Sequence, residues 1–161
     1  MIQSVKFDSL NMGIKTIANS LFIFTVKRTI EITGLIISAI GLVFLVALIS
    51  YSPNDPNFIF PENIPIENLM GFRGSYTSDL FLQSLGLISY LIPFSLIFSG
   101  INILKRKNLL LILENLFFVL VYCLLGSLFF DFFYKNAFTL YINGNGGFVG
   151  EYLNQSPLFH Q

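Results

Sequence analysis

Charged groups are scarce in this chain, and histidine and cysteine nearly absent. The sole histidine, His160, is next to the last residue. Paired-histidine haem ligation, the usual zinc clusters and Ser/His nucleophile–base pairs therefore lack their central group. The single cysteine, Cys123, sits inside an apolar run. It cannot form an intrachain disulfide, so redox compartment is not legible from it, and it reads as a small hydrophobe. No glycine-rich turn ends in Gly-Lys-Ser/Thr, and no dinucleotide-binding glycine fingerprint follows a strand, which removes the common phosphate cradles. Nine Lys and Arg balance nine Asp and Glu, for a formal net charge of zero, so nothing suggests an electrostatic grip on nucleic acid. The expectation is a segment with no catalytic residue, no cofactor, no metal and no bound nucleic acid.

What the chain has is apolar surface. Hydrophobic residues make up 54%, Phe alone contributes 19, and charged residues are 11%, against about 25% in soluble domains. Mean hydropathy is +0.73. A soluble chain of this size leaves too much of its area exposed to hide so much apolar surface, whereas lipid removes the problem.

Three runs are long enough to cross a hydrocarbon core of about 30 Å as helices, the form that satisfies its own backbone in lipid. They are placed at about 32–50, 80–104 and 109–130, and the third carries one charge, Glu114. Lys27 and Arg28 flank the first run, with Lys6 and Lys15 upstream, and Lys105, Arg106 and Lys107 fill the turn between the second and third. The opposite loops hold only Arg73 and Lys135. Cytoplasmic loops carry the excess of Lys and Arg, so the N-terminus and the 105–107 turn are expected inside, with 51–78 as an outer loop.

Ahead of the first span, Leu10, Ile14, Ile17, Leu21 and Phe24 share one helical face. Residues 1–29 are thus expected to hold a cytoplasmic amphipathic helix lying in the interface. A cleavable signal fits less well, because Lys27-Arg28 stands where small residues should be. The fold class expected is all-α integral membrane: three transmembrane helices, N-terminus cytoplasmic, preceded by an amphipathic interfacial helix.

The loops carry dense turn chemistry. Ser52-Pro53-Asn54-Asp55-Pro56 combines fixed φ angles with side chains that bond their own backbone. Gly71 and Gly74 punctuate Asn68–Tyr76. Ser75–Asp79 reads as the cap of the second span, with Asp79 facing the helix dipole. Pro93 is expected to kink that span. Gly34 and Ser38, and Ser95 and Ser99, have the four-residue spacing that lets helices approach in lipid. Glu31, Glu114 and Asp131 are the ionisable groups near spans. Glu31 is expected to pair locally with Lys27 and Arg28, and Glu114 to approach the 105–107 turn or a neighbouring helix. A proton or ion pathway would need several such groups at one depth, which argues against a transporter.

These loop residues carry a family resemblance. Leu48-Ile49-Ser50-Tyr51-Ser52-Pro53-Asn54-Asp55-Pro56 resembles the S-Y-x-P-x-D-P stretch of the N-terminal membrane domain of bacterial FtsK/SpoIIIE DNA translocases. The similarity continues through Asn68-x-x-Gly71-x-x-Gly74-x-Tyr76-x-x-Asp79, Gly86, Tyr90 and Pro93. It also takes in the basic turn, Gly146-Gly147-x-x-Gly150 and, more weakly, Glu31-x-x-Gly34. Residues 30–153 are read as the transmembrane domain and 154–161 as a truncated outer loop.

The resemblance implies a four-helix anchor in the bacterial inner membrane at the division septum, followed by a linker and a cytoplasmic hexameric ATPase that moves DNA. Partners implied are the lipid bilayer, division-site membrane proteins and, in the full-length protein, further copies of itself. Asp55, Asn68, Gly71, Gly74 and Asp79 are the candidate loop-shaping or partner-docking residues. The departure is the missing fourth span. Three crossings from an inside N-terminus leave Gln161 outside, so the expectation is a fragment or truncated copy. The other readings are a small transporter or respiratory-complex subunit and a complete small scaffold.

Overall fold

The computed structural model describes residues 2–57, 65–135, 137 and 143–156, with side chains from Lys15 onward. No strand occurs among them. Five α-helices follow one another: α1 Ile2–Ile49, α2 Gly71–Leu85, α3 Leu91–Arg106, α4 Leu110–Tyr134 and α5 Gly147–Asn154, with a short 3-10 helix, Gly86–Tyr90, between α2 and α3. Three helical stretches are long and apolar enough to cross a membrane: Lys15–Ile49, Gly71–Arg106 and Leu110–Tyr134.

The expected amphipathic segment and first span are one uninterrupted helix, so a boundary at residue 29 falls inside α1. Nothing there breaks a helix. Proline is absent from α1, Lys27 and Arg28 are good helix formers, and the hydroxyls of Thr25, Thr29 and Thr33 fold back onto the carbonyls of Leu21, Thr25 and Thr29. At 48 residues, α1 is about 72 Å long by its rise per residue.

The second span starts earlier than expected, at Gly71 rather than Leu80, which shortens the preceding loop. Its irregularity also lies upstream of Pro93. Gly86 has φ 72°, a value that right-handed helices exclude and glycine tolerates. The α-pattern therefore stops there and resumes at Leu91. Pro93 then falls in the first turn of α3, where a missing N–H costs little. The third span, expected to end at 130, continues to Tyr134.

Small residues weld α1 to α3. A Cβ on Gly34 would lie 2.8 Å from the Gly100 carbonyl, and one on Gly41 would lie 2.9 Å from that of Pro93. Ser38 Oγ donates to the Ile97 carbonyl at 3.3 Å. The Ser95–Ser99 pair faces α4 instead: Ser95 meets the Tyr122 hydroxyl at 3.0 Å, and Ser99 accepts from Asn115 at 2.8 Å. Phe44, Leu48, Leu82, Ile92 and Cys123 form the buried apolar centre, with the Phe44 and Phe81 rings edge to face at 4.8 Å. Outward, large apolar side chains such as Leu35, Phe98, Leu113, Phe117 and Phe132 stand exposed along the spans. Water would penalise such a surface, and hydrocarbon accepts it.

Candidate docking face

The two connections at one end of the bundle are each held by buried polar groups. In the first, Asp55 is 5% exposed and Asn68 4%. Asp55 Oδ1 accepts from the Glu67 N–H at 2.8 Å and Oδ2 from the Asn68 N–H at 2.9 Å. The prolines around Asp55 prevent regular pairing, so its carboxylate supplies the acceptors that the half-buried Glu67 N–H and the buried Asn68 N–H need. Asn68 then ties the loop to α1 and α2. Its Nδ2 donates to the Ala47 carbonyl at 2.8 Å and reaches Ser78 Oγ at 3.5 Å, while Oδ1 accepts from Met70 N at 3.0 Å. Ser50 Oγ accepts from Leu69 N, and Ser75 donates to the Pro56 carbonyl.

The two loop glycines differ. A Cβ on Gly74 would collide with the Asn68 side chain, whereas one on Gly71 would meet nothing within 4 Å. Gly71 closes a turn with its N–H on the Asn68 carbonyl at 2.8 Å, and its positive φ of 65° then turns the chain into α2.

Asp79 does not cap the second span. Because α2 begins at Gly71, Asp79 lies in its third turn, where Oδ1 accepts from the Tyr51 hydroxyl at 3.1 Å. Gln83 also donates to that hydroxyl, at 3.4 Å. Burial, with the Asp79 carboxylate beside it, pushes the Tyr51 hydroxyl up to about 12. The structure thus brings Asp55, Asn68, Gly71 and Gly74 into one cluster, with Asp79 linked to the end of α1 through Tyr51.

The second connection holds residues the sequence reading missed. Helix α5 was not foreseen, although Gly146 and Gly150 have the four-residue spacing of a close-packing helix face. A Cβ on Gly146 would lie 2.5 Å from the Ser127 carbonyl, and one on Gly147 would lie 2.6 Å from Gly86 N. Asn145 is fully buried; its carbonyl accepts from Leu87 N at 2.9 Å and its Nδ2 donates to the Tyr134 carbonyl at 2.5 Å.

Asp131 closes the same junction. It is 2% exposed and accepts from Asn154 at 2.8 Å, with Lys135 Nζ at 3.6 Å. Lys135 also donates to Glu151 at 3.0 Å. That bond, with Asp131 nearby, holds its ammonium above the usual lysine value.

At the opposite end Glu31 bridges Arg28, at 2.5 Å, and Lys107 of the turn. Sequence spacing places Glu31 beside Lys27 and Arg28 of its own helix; the α1–α3 packing brings Lys107 of the turn to it as well. Glu114 is exposed, and it is Lys107 that leaves the turn to pair with Glu31. No three His, Cys, Asp or Glu side chains gather as a metal site among the described residues.

The arrangement is that of a multi-span helical membrane domain whose polar groups fasten its loops. The chain matches the family described as the 4TM region of DNA translocase FtsK/SpoIIIE over residues 26–158, and it belongs to that family. Three candidate spans are present among the described residues. Relatives include the DNA translocases FtsK of Azospirillum brasilense, 39% identical over 71 residues, and of Rickettsia bellii, 34% over 77 residues. That of Caulobacter vibrioides is 33% identical over 74 residues. These matches cover 43%, 48% and 46% of this chain and 11%, 10% and 9% of the relatives. The chain thus matches about a tenth of the length of these relatives. No solved structure matches it.

Proposed function

We propose that this chain is the membrane anchor and division-site recruitment segment of an FtsK-like DNA translocase acting in cell division and chromosome segregation. On this reading the ATP-driven DNA motor is not within these residues, and the segment itself binds no nucleic acid. The observation that carries the reading is the family match over residues 26–158. An anchor needs stable spans and shaped loops rather than reactive groups, and the polar clusters described above serve the loops. The cations of the N-terminal flank and of Lys105–Lys107 support a cytoplasmic N-terminus in the bacterial inner membrane.

The loop end is the proposed docking face for division-site membrane proteins. Asp55 and Asn68 are buried and act there by holding the loop, while Leu69, 74% exposed, and Phe72, 51% exposed, meet the partner. Self-association belongs to the full-length protein. A fluorescent fusion of residues 1–161 tests recruitment: the expected result is a band at midcell in dividing bacteria. Uniform membrane fluorescence from a stably inserted fusion would contradict recruitment by this segment.

A further inference from the structure

A groove of about 710 Å³ runs between α1 and the α2–α3 limb. Its lining is apolar from Ile36 to Ala47 along α1, with Phe81, Ile92 and Leu96 from the α2–α3 limb. Eleven steps of α1 span about 16 Å, and one leaflet of a hydrocarbon core is about 15 Å thick. The groove therefore has the length of one leaflet. Its end near Ala47 and Met70 lies beside the loop cluster, and Arg73 is the one charged residue among those lining it.

Arg73 is exposed, and no ion pair engages it among the described residues. The other loop-end cation there, Lys135, is already paired with Glu151 and Asp131. A guanidinium at the mouth of an apolar, leaflet-long groove calls for an occupant with an acyl tail and a negatively charged head.

We propose that this groove binds one phospholipid of the leaflet at the loop end, its acyl chain against Ile36–Ala47 and its phosphate on Arg73. An apolar helix from a second copy would fill the same walls but bring no counter-charge to Arg73. A phosphodiester supplies that charge and two acceptor oxygens for the planar fork. The proposal rests on the spans crossing a bilayer and is independent of recruitment to the septum.

The test uses the full chain, purified in mild detergent, stripped of lipid and followed by native mass spectrometry. The probes are palmitoyl-oleoyl phosphatidylglycerol and the diacylglycerol with the same chains. The expected result is one phosphatidylglycerol retained per chain and diacylglycerol held about tenfold more weakly, the lower end for a charge-assisted hydrogen bond. Arg73→Gln alters an exposed side chain and should remove that preference, Arg73→Lys should keep most of it, and Ala39→Trp should exclude both lipids by filling the groove. Unchanged preference in Arg73→Gln would overturn the proposal. So would a lipid-free dimer that Ala39→Trp dissociates, which would assign the groove to a second copy.

Discussion

Replacing Asp55 by alanine should unfasten the first loop without disturbing the spans. The carboxylate takes two backbone N–H groups, Glu67 at 2.8 Å and Asn68 at 2.9 Å, and each bond to a charged acceptor is worth about 1.5–3 kcal/mol. Both bonds break together when the loop lifts, but only Asn68 sits fully inside, so the total should stay near the lower end, about 2–4 kcal/mol. Amide hydrogen exchange in detergent micelles resolves the effect by site. At about 1.4 kcal/mol per factor of ten, the Glu67 and Asn68 amides should exchange about 30-fold faster or more in Asp55→Ala. The amides of the α1–α3 contact, around Gly34 and Gly100, should keep their protection. Asp55→Asn retains one acceptor oxygen and should fall between. Unchanged exchange at Glu67 and Asn68 in Asp55→Ala would refute the reasoning, because the carboxylate would then not be what holds these amides.

Two further outcomes follow from packing and titration. Gly100→Val places a side chain against the Gly34 carbonyl and Ser38 and should cost about 1–3 kcal/mol, measured by unfolding in mixed micelles. Gly71→Ala meets no atom and should cost about 1 kcal/mol from its positive φ alone. With backbone as one of its neighbours, Gly100→Val should fall at the upper end of its range, and a loss no larger than that of Gly71→Ala would contradict the packing. Tyr51 has a folded-state value raised from 10.0 to about 12, so its neutral form is the one the fold favours. Its contribution to stability is fully present below pH 10 and is lost as pH rises from there towards 12. The near-ultraviolet phenolate signal of the folded protein should lose its highest-pH component in Tyr51→Phe, and an unchanged titration curve would count against the buried hydroxyl.

The spans were legible because lipid imposes one simple demand, a long uncharged helix, and a run such as Leu80–Leu104 meets it whatever its partners. The approach of α1 to α3 was half legible: the spacing of Gly34 and Ser38 marked a close face but not that Gly100 would meet it. The polar clusters were less so. Asp55 and Asn68 are 13 positions apart and are joined through a backbone N–H, which no residue type announces. Asp79 was misplaced because Gly71 looked like loop, when its positive φ opens the helix. Asp131 stood out as a charge near a span, but its partner Asn154 lies on a short helix that only Gly146 and Gly150 hinted at. Charge patterning read Glu31 within its own turn, whereas the fold also brings Lys107 to it.

The topology is tested most directly by alkaline phosphatase fusions at the two ends of the bundle. If the N-terminus is cytoplasmic as proposed, three crossings put Gly150 outside, so a fusion after it should be active and a fusion at Lys107 inactive. The reverse pattern, or activity at both positions, would contradict the account of this chain as an anchor with its shaped loops facing outward.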